Sequence, residues 1–338
     1  MLRSLIYGMA ATVCITGSLV AAQAQTPTPV KLVLDFAIQG QQSPIVYGAE
    51  SGIFARQGLN VQVDRGYGSA DAISKVASGT YDVAFADLGA AIQFNGRQGS
   101  VKLINVLQIY DVAPMVILSM KKSNITKPAQ LNGKKIASPP AASSRVMFPA
   151  FAAANKIDPA TITWLDVTPQ LRETMLMQGQ ADATTAFITD LAGLKRLNIT
   201  EQDVTVMRFG DYGVDLYGHA LLTTPEFAAK NPETVRKLVK GVVEALKDSI
   251  KDPSVAIAAI KKRDPLVDET TERGRLDLVI KNAIATDTVR KNGLGTVDEG
   301  RMLKTIKTVA TAFHIPEVDV KAIYKPDYLP PQAERQLR

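Results

Sequence analysis

Segments with an apolar period of two alternate with segments of helical period along most of the chain, and this alternation limits the possible folds more than any other feature. Residues 31–36 alternate like a strand, residues 44–56 have the spacing of a helix followed by Gly58, and residues 59–64 alternate again. The same cycle recurs before residue 110. Strands separated by helices form parallel sheets with helices on both faces. The sequence therefore predicts an α/β fold.

A second series of strands and helices begins at residue 115, and a strand returns after residue 217. The chain would then cross between two lobes twice, which makes a two-strand hinge. We predict that residues 25–113 and 218–338 form lobe I, that residues 114–217 form lobe II, and that each lobe is a mostly parallel sheet with flanking helices. Lobes joined in this way can close over a ligand. Further on, an amphipathic helix is predicted with an apolar face of Val235, Leu238, Val239, Val242, Val243 and Leu246.

The first 24 residues have the pattern of a signal peptide. Arg3 supplies a positive charge, residues 5–20 form an uncharged apolar run, and small residues surround a cleavage point near Ala24. A membrane anchor is the alternative, but the run is shorter than the roughly 20 apolar residues that span a bilayer. A lipid anchor at Cys14 is disfavoured by the bulky residue before it. We predict cleavage, a mature chain that starts near Gln25, and a periplasmic location.

Composition excludes several classes of site. Cys14 is the only cysteine among 338 residues, so the mature chain would have no disulfide, thiolate metal site or cysteine nucleophile. The net charge is +6, but the lysine and arginine residues are scattered among acidic residues. This pattern indicates a solvated surface and not a nucleic-acid groove. His219 and His314 are the two histidines and lie far apart, and the chain has no GxSxG motif, P-loop or GxGxxG motif after the first strand. We predict no metal, no cofactor, no catalytic residue and a monomer.

Small and polar residues follow several predicted strands at the points where helices begin. The carboxyl ends of parallel strands meet at one edge of a sheet, where helix N-termini present free N–H groups to ligands. Each of Ser69, Asp87 and Ser143 could equally be a helix N-cap alone, but four such turns at one edge favour a shared ligand site. The candidates are Gln39, Gln41, Gln42, Ser43, Gly68, Ser69, Asp87, Leu88, Ser143 and Ser144.

Aromatic residues and one arginine near these turns are further candidates. Phe36, Tyr67, Phe187 and Tyr212 could stack on a flat ligand, although an aromatic residue taken alone is more often part of the core. Arg145 could pair with a carboxylate or sulfonate, or be a surface arginine. An ionised, unpaired Asp87 would repel an anion. It is therefore expected either to cap the helix that follows or to face a donor on the ligand.

Four stretches of the sequence resemble the SsuA-like, NitT/TauT-type substrate-binding proteins of ABC importers, whose ligands include nitrate, sulfonates, taurine and thiamine precursors. They are LDFAIQGQQSPIVYGAESGIFARQGLNVQV, GYGSADAISKVASGTYDVAFADLGAAI, QLNGKKIASPPAASSRVMFPAF and MQGQADATTAF. The resemblance implies the type II periplasmic-binding-protein fold, a periplasmic location and a membrane permease as partner. It also implies ligand contacts at residues 39–43, 68–69, 87–88 and 143–144 and near Phe187.

One difference from the family concerns the ligand. Thiamine-precursor binders have a tryptophan after the strand aspartate and a histidine a few residues later, whereas this chain has Phe36 and the sequence Gln41-Gln42-Ser43. We expect an exported protein that captures a sulfonate, carboxylate or heteroaromatic solute between its lobes and delivers it to an ABC importer. The alternatives are a sensor that presents its closed form to a membrane receptor, or an exported enzyme. Fungal pyrimidine synthases of this fold are enzymes, but they need a cysteine-rich iron motif that the mature chain would lack.

Overall fold

The structure, a computed structural model, describes residues 26–169 and 171–337, which contain two five-stranded mixed sheets. The predicted signal peptide lies outside these residues. Within them, no helix combines the length and the apolar composition that crossing a membrane requires.

The first sheet combines the first four strands of the chain with the last one. The strands are β1 Thr28–Leu34, β2 Leu59–Asp64, β3 Val83–Asp87, β4 Ile104–Gln108 and β10 His219–Thr223. Their order is β2-β1-β3-β10-β4, and β10 is antiparallel to both of its neighbours. Because β10 runs against the others, its first residue, His219, lies at the edge where β1 and β3 end.

The second sheet is built in the same way from the middle of the chain. Its strands are β5 Met115–Met120, β6 Lys135–Ser138, β7 Thr163–Asp166, β8 Ala183–Phe187 and β9 Val204–Arg208. The order is β7-β6-β8-β5-β9, with β5 antiparallel to its two neighbours. The chain passes between the sheets over residues 109–114 and again over residues 209–218. Four of the five strands in each sheet run in one direction, which confirms the predicted α/β fold with mostly parallel sheets.

Helices connect and cover the strands. They are α1 Ser43–Glu50, α2 Ile53–Arg56, α3 Ser69–Ala77, α4 Leu88–Asn95, α5 Ser143–Val146, α6 Phe148–Ala154, α7 Arg172–Met177, α8 Asp190–Leu194, α9 Pro225–Lys230, α10 Pro232–Lys251, α11 Pro253–Arg263, α12 Glu269–Val279, α13 Asp287–Asn292, α14 Glu299–Phe313, α15 Val320–Ile323 and α16 Gln332–Arg335. Shorter 3-10 turns cover Gly40–Gln42, Lys121–Ser123, Pro128–Leu131, Pro159–Thr161, Lys195–Leu197, Gly210–Tyr212 and Pro326–Tyr328, and a π-helical turn covers Ile280–Ile284.

The core lies on both faces of each sheet. The predicted apolar face of α10 is confirmed, because all six of its residues are buried and belong to the apolar cluster that also contains residues of β1, β2 and α1. The predicted helix of residues 44–56 is divided, and so is the helical segment that begins at Ser143. Gly52, with a φ of +77°, separates α1 from α2 in a left-handed conformation that ends the first helix. Met147 separates α5 from α6, where Pro149 in the first turn has no N–H to continue the ladder. β9 was not predicted.

Candidate functional site

A small pocket lies between elements of the two sheets. Its residues on the side of the first sheet are Asp35, Phe36, Gln41, Gly68 and Ser69, and those on the side of the second sheet are Ala142, Ser143, Ser144, Arg172, Phe187 and Asp190. Most of them directly follow a strand or begin a helix, which is where ligands bind in open α/β sheets. The cavity volume is about 20 Å³, which is room for about one water molecule. A larger solute therefore requires the two walls to separate.

The structure brings seven of the residues predicted from sequence into the pocket wall. They are Phe36, Gln41, Gly68, Ser69, Ser143, Ser144 and Phe187. Three more support the wall from behind. Gln39 Oε1 accepts a hydrogen bond from Gln41 Nε2 (3.1 Å), Gln42 Nε2 donates to Asp35 Oδ1 (2.9 Å), and Ser43 Oγ donates to the Gly40 carbonyl (2.6 Å).

Three of the other candidates lie away from the pocket in the described part of the chain. Tyr67 is 58% exposed, and the side chain of Leu88 is fully buried in the core. The Tyr212 ring packs edge-on against Phe151, with 6.1 Å between the ring centroids. None of these three residues is part of the pocket wall that the described residues form.

Arg145 also points away from the pocket, although it follows Ser143 and Ser144 in the same turn. Its guanidinium lies 3.5 Å from the centroid of the Trp164 ring, and its Nη1 is 3.3 Å from Asp166 Oδ1. These contacts match the alternative of a structural arginine at the surface.

Asp35 and His219 form a buried pair at the end of β1. Asp35 Oδ2 lies 2.9 Å from His219 Nε2, and the same nitrogen is 3.4 Å from Ser69 Oγ. The Asp35 carbonyl also accepts a hydrogen bond from Gly68 N–H (2.7 Å). The pair thus connects the first-strand loop, β10 and the start of α3.

The His219 ring is enclosed by aromatic residues. Its centroid lies 5.0 Å from those of Phe85 and Tyr110 and 5.5 Å from that of Phe187, which comes from the second sheet. Its Nδ1 has no hydrogen-bond partner among residues 26–169 and 171–337. In a Ser-His-Asp triad the two ring nitrogens contact different partners, whereas here Nε2 faces both Asp35 and Ser69. The cluster therefore lacks the geometry of a triad.

Asp87 caps α4 beneath the pocket. Its Oδ1 accepts a hydrogen bond from Ala90 N–H (2.8 Å), and its own N–H donates to Ser69 Oγ (3.1 Å). Its Oδ2 is buried and has no partner within the described residues. Burial raises the pKa of Asp87 to about 6, although the nearby His219 acts in the opposite direction. One of the two sequence-based alternatives for Asp87, the helix cap, is therefore present in the structure.

The variant Asp87→Asn is expected to gain stability relative to the wild type as pH rises. Since the folded-state pKa is raised, the folded protein retains a proton that the unfolded chain loses between its ordinary pKa and about 6. Wild-type stability from this group is therefore full at low pH and falls as pH rises to about 6. Asparagine keeps the cap acceptor but does not ionise. The difference in free energy of unfolding should change by on the order of 3 kcal/mol between pH 4 and pH 7.5 in urea titrations.

Asp268→Asn is the matched control for this prediction. Asp268 caps α12 in the same way, with Oδ1 accepting from Thr271 N–H (3.1 Å), but it is exposed, and this hydrogen bond lowers its pKa. The stability of Asp268→Asn relative to wild type should therefore fall with rising pH, opposite in sign to Asp87→Asn. A pH-independent difference for Asp87→Asn would contradict the burial of a charged carboxylate.

A buried cluster of charges forms the wall opposite Asp35. Asp190 is held by two guanidinium groups, with 2.6 Å from its Oδ2 to Arg172 Nη2 and 2.8 Å from its Oδ1 to Arg275 Nη1. Its Oδ2 also accepts a hydrogen bond from Phe187 N–H (2.9 Å). Burial opposes ionisation of Asp190, but the two arginines outweigh it and lower the pKa of this carboxyl. Arg275 belongs to α12 beside the first sheet, so this pair joins the two halves of the pocket.

Two glutamates complete the cluster. Glu173 Oε1 lies 3.7 Å from Arg172 Nη2 and 3.8 Å from Arg275 Nη2, and Glu272 Oε1 lies 3.6 Å from Arg275 Nε. Glu272 Oε2 accepts a hydrogen bond from the Gly40 N–H (2.6 Å). Burial raises the pKa of both glutamates, and the charge of Asp190 adds to this effect. Carboxyl groups thus outnumber guanidinium groups in this cluster.

Sequence reasoning missed the charged residues of the pocket wall. Asp35 directly follows the first strand and Asp190 lies three residues after the β8 strand, so position after a strand could have indicated both. Arg172 and Arg275 carry no comparable signal, because their proximity depends on how α7 and α12 pack.

Two similar mixed sheets, two chain crossings and a pocket between them define the fold of type II periplasmic binding proteins. Solved structures with this fold include a protein of Bordetella bronchiseptica RB50 (TM-score 0.74, 18% identity, covering 89% of this chain and 95% of that one). The periplasmic aliphatic sulphonate-binding protein SsuA of Escherichia coli is also similar (0.67, 16%, 89% and 93%). A third is the periplasmic nitrate-binding protein NrtA of Synechocystis PCC 6803 (0.62, 13%, 89% and 87%). At these identities the likeness shows the fold.

The chain belongs to the NMT1/THI5-like family, whose model matches residues 39–256. Among curated protein sequences, none matches this chain.

Proposed function

We propose that this protein is an exported solute-binding protein that encloses a small organic solute between two lobes and delivers it to the permease of an ABC importer. The observation that carries the proposal is a pocket whose wall comes in roughly equal parts from both sheets. A solute in such a pocket contacts both halves only when they are together. Family membership and the fold of sulphonate- and nitrate-binding proteins support the same function.

In this proposal residues 25–113 and 218–338 form lobe I, residues 114–217 form lobe II, and the two crossings are the hinge. Two contacts between the lobes support a closed state. Ala70 N–H donates to the Ala141 carbonyl (3.2 Å), and Arg275 pairs with Asp190. A solute that binds the closed state more tightly than the open one shifts the population toward closure.

Binding rather than catalysis is favoured by the arrangement around His219. Its Nε2 faces both Asp35 and Ser69, while its Nδ1 lies among aromatic rings. Proton relay through an imidazole uses its two nitrogens for different partners. Asp35, Ser69 and His219 are instead well placed to hold the first-strand loop and the start of α3 at the pocket.

A thermal-melt screen of the protein purified without residues 1–24 tests the proposal. The panel contains nitrate, taurine, methanesulfonate, benzoate, benzamidine and 4-aminopyridine. A ligand at 100 times its Kd contributes about 2.7 kcal/mol, so a true solute class should raise Tm by roughly 4 °C. Chromatography of the incubated mixtures should recover each compound unchanged. A flat response to the whole panel would contradict the proposal, and formation of a new product would favour the enzyme alternative.

A further inference from the structure

We infer that the solute carries a positively charged group with N–H donors, such as an amine, an amidine or a protonated nitrogen heterocycle. This inference rests on the proposed function and narrows it to one chemical class. It departs from the sequence-based expectation of a sulfonate or carboxylate and keeps the heteroaromatic alternative.

The first argument is the charge of the pocket wall. Its charged side chains are Asp35, Asp190 and Arg172. Arg172 is already paired with Asp190 at 2.6 Å, and the side chains of both are only 6% exposed. Within the described residues Asp35 has no guanidinium partner, and its side-chain hydrogen bonds come from an amide and an imidazole, Gln42 and His219. The wall thus has two carboxyl groups but a single guanidinium, which is paired with Asp190.

The residues behind the wall increase this imbalance. Asp87, Glu173 and Glu272 add three buried or mostly buried carboxyl groups, whereas Arg275 adds one buried guanidinium. The exposed Arg196 lies near enough to lower the pKa of both glutamates. An entering anion would have to compete with Asp190 for arginines that are already paired, and leaving a buried charge without its partner is strongly unfavourable. An entering cation would instead reduce the repulsion among the carboxylates. The electrostatics of the pocket therefore select for a cation.

The second argument is that, within the described residues, the wall and the residues behind it have more unpartnered acceptors than donors. Two of the three acceptors are amide oxygens, which are not part of the charge count. Gln41 lines the pocket, is 5% exposed, and its Oε1 has no partner among the described residues. Behind it, Gln42 Oε1 and Asp87 Oδ2 are buried and equally unpartnered in the described part of the chain. Among the described residues, the unpartnered donors here are Arg172 Nε in the wall and Arg275 Nε behind it. A buried acceptor favours a ligand that supplies a donor.

The third argument is the aromatic part of the wall. Phe36 and Phe187 supply the two aromatic rings that line the pocket. The π-system of an aromatic ring attracts cations and offers no comparable attraction to anions. A flat cation such as an amidinium can meet these rings and donate N–H groups toward Asp35 and Gln41 at the same time.

Isothermal titration calorimetry with pairs of similar shape and opposite charge tests this inference. The probes are benzamidinium against benzoate and methylguanidinium against acetate. We expect the cation of at least one pair to bind at least about 30-fold more tightly than its anion. Asp35→Asn, which keeps the shape of the side chain, should weaken that binding by about 10-fold or more. Asp277→Asn is the control, because it removes one negative charge from a surface pair with Arg273 on α12. Its affinity should equal that of wild type.

The outcomes separate this inference from the proposed function. Binding of benzoate, acetate or a sulfonate in preference to the cations would overturn the cation assignment and leave the solute-binding function in place. Absence of binding by every probe in both experiments would overturn both. Equal losses in Asp35→Asn and Asp277→Asn would place the cation outside the pocket and also overturn the inference. Should Asp35→Asn fail to fold, the affinities of the wild-type protein for the cation and the anion of each pair decide whether the solute is a cation.

Discussion

Replacing Arg275 by methionine is expected to lower the free energy of unfolding by about 3–5 kcal/mol, since removing one partner of a buried ion pair leaves an uncompensated charge. The side chain of Arg275 is 2% exposed and contacts three carboxyl groups, those of Asp190, Glu173 and Glu272. Without it, Arg172 would still contact Asp190 and Glu173, but Glu272 would lose its guanidinium contact. Urea unfolding at neutral pH measures the loss.

Arg273→Met is the matched control for this prediction. Arg273 lies two residues away on the same helix, and its ion pair with Asp277 is exposed. Pairs of this type contribute roughly 0.5 kcal/mol or less, so the control should unfold almost like wild type. Equal losses in the two variants would show that the cluster around Asp190 is not a buried contact between the halves of the pocket.

Replacing Gly68 by alanine is expected to weaken solute binding roughly 10- to 100-fold, because overpacking a closed contact is typically unfavourable by 1–3 kcal/mol. Gly68 has a φ of +139°, and a Cβ there would lie 2.7 Å from Ala141 Cβ and closer still to the Ala141 carbonyl. The contact is between the two proposed lobes. Alanine at this position should therefore disfavour closure more than folding. Calorimetry with the strongest ligand of the thermal-melt panel measures the effect.

Gly79→Ala separates this effect from backbone strain. Gly79 follows the same helix α3 and also has a positive φ, +75°, but a Cβ there would meet no atom within 4 Å. Both variants should lose stability through the strained conformation. Only Gly68→Ala should also lose affinity. A similar affinity in both variants would mean that the contact with Ala141 is not required for binding.

The sequence predicted much of the fold, because most strands carry strong local patterns. The bounds of β2 agree with the prediction residue for residue, and β5 begins at residue 115, where the second series of strands and helices was predicted to start. Both strands are rich in branched apolar residues. β9 was not predicted because it has only five residues, and its apolar residues are mixed with Thr205 and Arg208. Its place in the sheet depends on pairing with β5, which is a tertiary contact.

The candidate site likewise contains residues that a local sequence pattern predicts and residues whose placement depends on tertiary contacts. Gly68, Ser69, Ser143 and Ser144 reach the pocket because they directly follow strands or begin helices, and a sequence pattern records that position. The cluster around Asp190 depends on Arg275, which is 85 residues away in the chain. No local pattern records such a pairing. Arg145 shows the reverse case, because it lies in the same turn as Ser143 and Ser144 but its side chain packs on Trp164.

The distance between two spin labels, one on each proposed lobe, tests most directly whether the protein closes around a solute. Ser74→Cys on α3 and Gln178→Cys after α7 place labels at exposed positions, and the mature chain would contain no other cysteine. In protein freed of solute by unfolding and refolding, we predict a population with a longer distance. The strongest ligand of the thermal-melt panel should convert it to the single shorter distance of the closed structure. An unchanged distance distribution in the presence of a ligand that calorimetry shows to be bound would contradict this account.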